Sequence, residues 1–252
     1  MLVADRRIVT ELHRRVMRVV GDGERAYGDV EMRLEGGTAL AAYHLFHRES
    51  EDLDFFAGVA IDVRDWIRFL EPRLIDAGCI PRAAREAIAS FVTLVVADAT
   101  QPDRVPLKVE FARTSPFLLE PLEPSEEGVR VASRRDLFRG KLESVCGRTE
   151  PRDFIDLYCI LWRPTDDGTP PAEPVVRARF RSLLTDVMQC DPGLTLSFIA
   201  QQIADARNRM PMVSRFPLRL LYSVADDDIL MAIELCVEEC ATMIRDELQR
   251  GG

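Results

Sequence analysis

The change in hydrophobic periodicity along the chain limits its possible folds more than any other feature of the sequence. Up to about residue 126, short stretches of alternating or β-branched apolar residues lie between segments with helical spacing, whereas beyond it only helical spacing is found. The predicted strands are residues 30–34, 53–56, 90–97 and 105–112. A mixed part followed by a helical part predicts two domains, which we place at residues 1–125 and 126–252.

The helical segments complete the predicted fold class. In the first domain they cover residues 5–20, 39–46 and 63–77. In the second they cover residues 136–146, 153–162, 174–188, 195–207 and 226–248, with a short piece near 217–223. We therefore predict an α+β protein in which a small mixed sheet with flanking helices is followed by a helical C-terminal domain.

Composition narrows the expected compartment. Hydrophobic residues make up 47% of the chain, but no stretch approaches the roughly 20 apolar residues of a membrane span. The N-terminus lacks the apolar run of a signal peptide, and the six cysteines form no Cys-x-x-Cys pair. We expect a cytoplasmic protein that does not bind a membrane and whose cysteines are buried thiols.

The net charge of −9 restricts any contact with nucleic acid to a local basic patch. Two groups could form one: Arg130, Arg134, Arg135, Arg139 and Lys141, and further along the chain Arg177, Arg179 and Arg181. Each group could equally be the solvated face of a helix. Of the 33 basic residues only Lys108 and Lys141 are lysines, which makes both positions unusual in this chain.

Residues 34–40 combine the end of a strand, a glycine turn and the start of a helix. Gly36 and Gly37 allow the backbone to approach a ligand closely, and Thr38 can cap the helix that follows. The free N–H groups at a helix start favour a phosphate. Alone, this pattern is an ordinary turn; as part of a site, it would hold the phosphates of a nucleotide.

Residues 50–56, Ser-Glu-Asp-Leu-Asp-Phe-Phe, place two carboxylates on one face of a strand, because side chains two residues apart point the same way. Adjacent carboxylates repel each other unless a cation lies between them. Oxygen ligands of this type suit Mg²⁺ or Mn²⁺. Asp52 and Asp54 are therefore candidate metal ligands, the alternative being a solvated acidic turn.

A third carboxylate, Glu110, lies in the strand predicted at 105–112, on the same face as Lys108. With Asp52 and Asp54 it would complete a three-carboxylate site for two metal ions, which can clamp the attacking and leaving oxygens of a phosphoryl transfer. Glu110 could instead act as a general base on the attacking hydroxyl. The alternative is a strand with one solvated face.

In this order the segments resemble the DNA polymerase β-like nucleotidyltransferase superfamily and, more closely, the AbiEii-type nucleotidyltransferase toxins. Residues 36–40 and 48–56 resemble the first motif of that family, and residues 108–110, Lys-Val-Glu, resemble the second. Residues 136–141 and 152–158 resemble the third and fourth motifs. The resemblance covers residues 33–162 in pieces and implies a polymerase β-like core, with Glu110 where aspartate is more usual.

The resemblance implies a metal-dependent enzyme that moves a nucleotide from an NTP to an RNA end, such as the tRNA 3′ end, and acts as a toxin opposed by a cognate antitoxin protein. The catalytic residues that we predict are Asp52, Asp54, Glu110, Lys141 and Asp153. The predicted nucleotide-binding residues are Gly36, Gly37, Thr38, Arg48, Ser50 and Lys108. The predicted ligands of Mg²⁺ or Mn²⁺ are Asp52, Asp54 and Glu110.

Two residues of the predicted catalytic set, Lys141 and Asp153, lie in the helical part of the chain. Lys141 would neutralise a phosphate of the NTP as a point charge. Asp153, near a helix start where a carboxylate is favoured, would orient Lys141 or Arg152. An N-terminal charge without such a role is the alternative for Asp153.

Two other functions are compatible with the sequence. The first is nucleotide transfer to a small molecule such as an aminoglycoside, or to a protein side chain, and the acidic net charge favours a cationic acceptor of this kind. The second is a non-catalytic module that binds a nucleotide or a partner on a transferase scaffold. The intact Asp-x-Asp of residues 52–54 argues against the second.

Overall fold

A computed structural model of the chain describes residues 1–28, 30–57, 61–83, 89–114, 117–148, 150–165, 167–209, 219–221 and 223–250. The chain divides into two compact units, Met1–Leu137 and Phe138–Gly252. The first contains a mixed sheet with helices, and the elements described in the second are helical. The predicted α+β class is therefore confirmed, while residues 217, 218 and 222 of the short piece predicted near 217–223 lie outside the described residues.

The first unit begins with helix α1, which Thr10 caps through its side chain. Its helices are α1 Glu11–Tyr27, α2 Gly36–Leu40 with a π-helical turn at Ala41–Leu45, and α3 Val63–Asp76. Its strands are β1 Met32–Glu35, β2 Asp52–Ala57, β3 Cys79–Ala83, β4 Phe91–Asp98, β5 Leu107–Arg113, β6 Glu123–Pro124 and β7 Arg130–Val131.

In the described residues the strands form one sheet in the order β3-β4-β5-β2-β1-β7-β6. Strand β2 runs parallel to β5 and β1 runs parallel to β7, whereas the other neighbours are antiparallel. The consecutive strands β1 and β2 are joined by α2 and the π-helical turn. The centre of the sheet therefore carries both the end of β1 and the acidic start of β2.

The predicted alternation of β2 is present in the structure. Leu53 and Phe55 are fully buried, and the ring of Phe55 stacks on Phe111 of β5 with 5.3 Å between centroids. Burying two large aromatic side chains against each other stabilises this pairing through their apolar area. Because β2 is buried on this face, Asp52 and Asp54 must point to the other one.

The first unit continues past the boundary predicted at residues 125 and 126. Strand β7 pairs with β1 through Arg33 and Arg130 and through Leu34 and Val131, so residues after 126 belong to the sheet. Strands β1 and β7 lie about 100 residues apart in the sequence, and hydrophobic periodicity reports only local structure. The domain boundary predicted from periodicity was therefore placed before β7.

Helix α4, Arg134–Gly147, begins in the first unit and continues into the second. The second unit also contains α5 Pro151–Trp162, α6 Glu173–Cys190, α7 Leu196–Arg209 and α8 Asp226–Arg250. The six cysteines are free thiols, and all but Cys190 are buried, as predicted. Among the described helices, none combines the length and the hydropathy that crossing a lipid bilayer requires.

Candidate active site

The glycine turn and the acidic strand meet at one point of the sheet. Gly36 has a φ of 71°, the left-handed region in which a side chain is strained. A Cβ atom placed on Gly36 would overlap Oδ2 of Asp54, because the two atoms would be far closer than the sum of their van der Waals radii. The backbone of the turn therefore lies directly against the Asp54 carboxylate, which only glycine permits.

We expect Gly36→Ala to abolish most activity, because the added methyl group must displace the Asp54 carboxylate. Displacing a reacting group by about 1 Å can lower a rate about 100-fold. Gly168→Ala is the matched control, since Gly168 also has a positive φ, 82°, but has open space around its Cβ position. Steady-state rates of the two variants show whether the loss comes from the contact with Asp54 or from backbone strain. Equal rates would contradict the assignment of Gly36 to the site.

The segment that follows Gly36 is tied to β2 by buried side chains. Helix α2 begins at Gly36, earlier than predicted, and Thr38 does not cap it; the Thr38 hydroxyl donates a hydrogen bond to the backbone carbonyl of Asp52. A Cβ on Gly37 would lie 2.7 Å from Nη2 of Arg48 and 3.1 Å from Oγ of Ser50. Arg48 and Ser50 are thus packed against the turn, with 3% and 6% of their surface exposed.

A row of polar side chains crosses four strands of the sheet. Glu35 of β1 pairs in register with Asp54 of β2, Asp54 with Glu110 of β5, and Glu110 with Thr93 of β4. Residues that are directly opposite on neighbouring strands share a face, so three carboxylates lie side by side with Asp54 in the middle. Glu35 is a member of this row that the sequence analysis missed.

Basic side chains contact the two outer acids of the row. The Nζ atom of Lys108 lies 2.6 Å from Oε1 of Glu110, and Arg33 forms an ion pair with Glu35. Lys108 is also in register with Asp52, whose carboxylate accepts a hydrogen bond from Ser50 at 3.3 Å. The structure therefore brings Asp52, Asp54, Lys108 and Glu110 to one face of β2 and β5.

The donor set fits a divalent cation that arrives with its substrate. Across the described residues, no group of three or more His, Cys, Asp or Glu side chains is placed so that it could hold a metal ion. Mg²⁺ is usually held by one or two carboxylates, with water and substrate phosphates as its other ligands. Asp52 and Asp54 beside the glycine turn provide such a pair; the role of Glu110 as a third ligand stays a prediction.

His13 of α1 is a second residue near the acids that the sequence analysis did not select. Burial lowers the pKa of its imidazole to about 4, and the negative charge of Asp52 acts in the opposite direction. Its Nδ1 atom accepts the backbone N–H of Thr10 at 3.3 Å. His13 is therefore neutral at pH 7 and close enough to Asp52 to respond to its charge, which only the packing of α1 could reveal.

In the second unit, Lys141 lies in a buried group of charges. Its Nζ atom is 2.8 Å from Asp156 and 3.3 Å from Asp153, and both carboxylates are fully buried. Arg148 also contacts Asp153, with Nε 2.8 Å from Oδ2. Asp153 thus contacts Lys141 and Arg148, and the proposed contact of Lys141 with a phosphate stays a prediction.

Members of both basic groups are engaged within their own units. Arg179 donates to the carbonyls of Leu161 and Arg163 at the end of α5, and Arg139 forms an ion pair with Glu143 at 2.6 Å. In the first group Arg130 contacts Glu24 and Glu31. Arg130, Arg139 and Arg179 are therefore held in contacts within their own units.

Comparisons with known proteins give the family and the fold of the chain. A model of the family described as nucleotidyl transferase AbiEii toxin, type IV toxin–antitoxin system, matches residues 24–224. The structure of JHP933 from Helicobacter pylori is similar, with a TM-score of 0.50, 18% identity and coverage of 96% of each chain. MenT4, a nucleotidyltransferase toxin from Mycobacterium tuberculosis, is similar with a TM-score of 0.50, 20% identity and coverage of 92% of this chain and 85% of that chain. No curated protein matches significantly.

The family match defines the class of the chain as a nucleotidyltransferase, and these structures share its fold. The family match spans both units and most of the chain. The chain belongs to the AbiEii family of nucleotidyltransferase toxins of type IV toxin–antitoxin systems. Membership in such a system implies an antitoxin as partner, and the resemblance found in the sequence is confirmed.

Proposed function

We propose that this protein transfers a nucleotide from an NTP to the 3′ end of an RNA, with tRNA as the acceptor, in the presence of Mg²⁺ or Mn²⁺. The reaction would take place in the cytoplasm, where NTPs and tRNA are found, and a cognate antitoxin protein would oppose it. The observation that carries the proposal is the position of Asp54, between two acids and directly against Gly36.

This position suits a triphosphate bound with a divalent cation. Asp52 and Asp54 lie two residues apart on one face of β2, and neighbouring carboxylates repel each other unless a cation lies between them. The cation, held by Asp52 and Asp54, would supply charge stabilisation at the transferring phosphoryl group. Gly36 lets the turn lie against the Asp54 carboxylate, and Thr38 fixes the turn to β2, so that the turn would hold the phosphates next to the cation.

Other residues of the set have roles that require a change of partner. Glu110 can bind the cation or accept a proton from the attacking hydroxyl only after its ion pair with Lys108 opens. Lys108, which is 47% exposed, is then available to a phosphate. In this proposal Arg48 and Ser50 shape the turn from beneath, and Lys141, positioned by Asp153, neutralises a phosphate.

Labelled NTPs test the proposal directly. The purified protein is incubated with tRNA, Mg²⁺ and each of the four NTPs in turn, and the RNA is resolved on a sequencing gel. We expect at least one NTP to lengthen the tRNA, and we expect Asp52→Ala or a chelator to abolish the product. RNA that keeps its length and carries no label with all four NTPs would contradict the proposal.

A small cationic acceptor is the second candidate, and the net charge of −9 is the observation that favours it. An acidic surface attracts a cation such as an aminoglycoside and repels RNA outside local basic patches. The same labelled NTPs incubated with aminoglycosides separate the two candidates. Label transferred to the small molecule but not to tRNA would replace the first proposal by the second.

A further inference from the structure

Helices α6 and α8 of the second unit line a cleft of about 490 Å³. Arg177 and Arg181, four residues apart and so on one face of α6, line one side. The other side is lined by α8, where Glu238, Thr242 and Arg245 follow one another over seven residues, about 10 Å along the helix. Three guanidinium groups therefore surround one cleft.

Glu239 forms the floor of the cleft and holds two of these guanidinium groups. Only 1% of Glu239 is exposed, and its carboxylate accepts hydrogen bonds from Nη1 of Arg177 at 3.2 Å and from Nε of Arg181. A buried carboxylate between two guanidinium groups fixes their orientation. Because these arginine side chains are already ordered in the free protein, they lose less conformational entropy when a ligand binds.

Several donors at the cleft remain available. In the described part of the chain, the Arg181 guanidinium donates one hydrogen bond, from Nε to Glu239. Its Nη1 and Nη2 atoms have no hydrogen-bond partner among these residues. Arg245 donates through Nη2 to the Thr242 hydroxyl at 3.0 Å, and its other nitrogens have no partner among the described residues. Both guanidinium groups therefore present N–H donors to the cleft.

Glu238 is the residue that an anion would displace. Its carboxylate accepts a hydrogen bond from Nη2 of Arg177 at 2.9 Å, and 67% of its side chain is exposed. An exposed ion pair is worth little free energy, so Glu238 can turn toward solvent at small cost. Arg177 is also bound by Glu173 at 2.8 Å, so a phosphate would then meet chiefly the donors of Arg181 and Arg245, with the charge of Arg177 beside them.

We propose that this α6–α8 cleft binds a backbone phosphate of the acceptor RNA, a role that rests on the proposed function. The chain has a net charge of −9 and can attract RNA only through a local basic site. Arg179 of the same group is engaged with backbone carbonyls, which leaves this cleft as the place on α6 where donors are available.

The test measures RNA binding without NTP, so that it does not depend on catalysis. Fluorescence anisotropy of labelled tRNA is recorded with the full-length protein between 50 and 200 mM salt. We expect the double variant Arg181→Gln/Arg245→Gln to bind at least tenfold more weakly and to lose about one unit of salt slope for each contact removed. We expect Glu238→Gln to bind more tightly.

The matched control is Arg64→Gln/Arg68→Gln, which removes the same charge from the exposed face of α3. Arg245→Gln alone leaves the partners of Glu239 in place, so it remains informative if the double variant does not fold. Binding by the cleft variants within twofold of this control would overturn the proposal. Inorganic phosphate is a second probe. If phosphate stabilises the protein in a way that depends on Arg245, while Arg245→Gln leaves RNA binding unchanged, the assignment of the cleft to RNA is overturned.

The outcomes also separate this inference from the function on which it rests. RNA binding that depends on Arg181 and Arg245 without any nucleotide transfer would support the cleft and contradict the proposed function. Transfer to tRNA with an unchanged KM for RNA in the double variant would contradict the cleft and support the function. A raised KM for tRNA with an unchanged KM for NTP is the expected result.

Discussion

Asp54→Asn is expected to lower the kcat of nucleotide transfer about 1000-fold or more. The substitution keeps the size of the side chain but removes the central charge of the row formed with Glu35 and Glu110. A divalent cation at a transferring phosphoryl group stabilises the transition state by several kcal/mol, and each 1.36 kcal/mol corresponds to a factor of ten. Single-turnover rates with saturating NTP and Mg²⁺ measure the loss.

The stability of the same variant distinguishes a functional acid from a structural one. Like charges that are directly opposite on neighbouring strands destabilise a sheet, so we expect the melting temperature of Asp54→Asn not to fall. Asp65→Asn, an exposed position on α3 whose side chain is 55% accessible, is the control for both measurements. Near wild-type transfer by Asp54→Asn would refute the placement of the site.

Lys141→Met is expected to destabilise the second unit by about 3–5 kcal/mol, the usual effect of removing one partner from a buried ion pair. The substitution removes a cation that lies 2.8 Å from Asp156 and 3.3 Å from Asp153, two fully buried carboxylates. Trp162 lies in this unit and Trp66 in the other, so a Trp66→Phe background lets tryptophan fluorescence follow the second unit during urea unfolding.

The other lysine supplies the control for this measurement. Lys108→Met removes an ammonium whose side chain is 47% exposed and whose partner is Glu110, so we expect a loss of no more than about 1 kcal/mol. Equal midpoints for the two variants would contradict the buried role of Lys141. At temperatures where Lys141→Met is folded, full transfer activity would also argue against its predicted contact with a phosphate.

Local patterns were sufficient to predict the central part of the fold. The strand predicted at residues 53–56 lies within β2, Asp52–Ala57, and the alternation correctly gave the shared face of its two aspartates, because alternation reports burial directly. Strand β3 was missed, since it is an edge strand with Pro81 in its middle, and proline argues against a strand. Strands β6 and β7 have two residues each and leave no periodic signal.

The parts of the site that the sequence did not reveal depend on contacts between distant segments. Glu35 joins the acidic row only through the register of β1 against β2, and His13 approaches Asp52 only through the packing of α1. The sequence analysis predicted that Asp153 would orient Lys141 or Arg152, and the structure shows its contact with Lys141. The sequence could not predict the depth of burial, which follows from how α4 and α5 enclose them.

The two lysines of this protein differ in exposure and therefore in their reactivity toward reagents that modify amines. Lys108 lies on the acidic face with 47% of its side chain exposed, whereas 7% of the Lys141 side chain is exposed. An acylating reagent therefore finds one accessible lysine, and that lysine belongs to the candidate active site. Once label on the exposed N-terminal amine is accounted for, occupancy of the site by nucleotide could be followed as protection of a single lysine, Lys108.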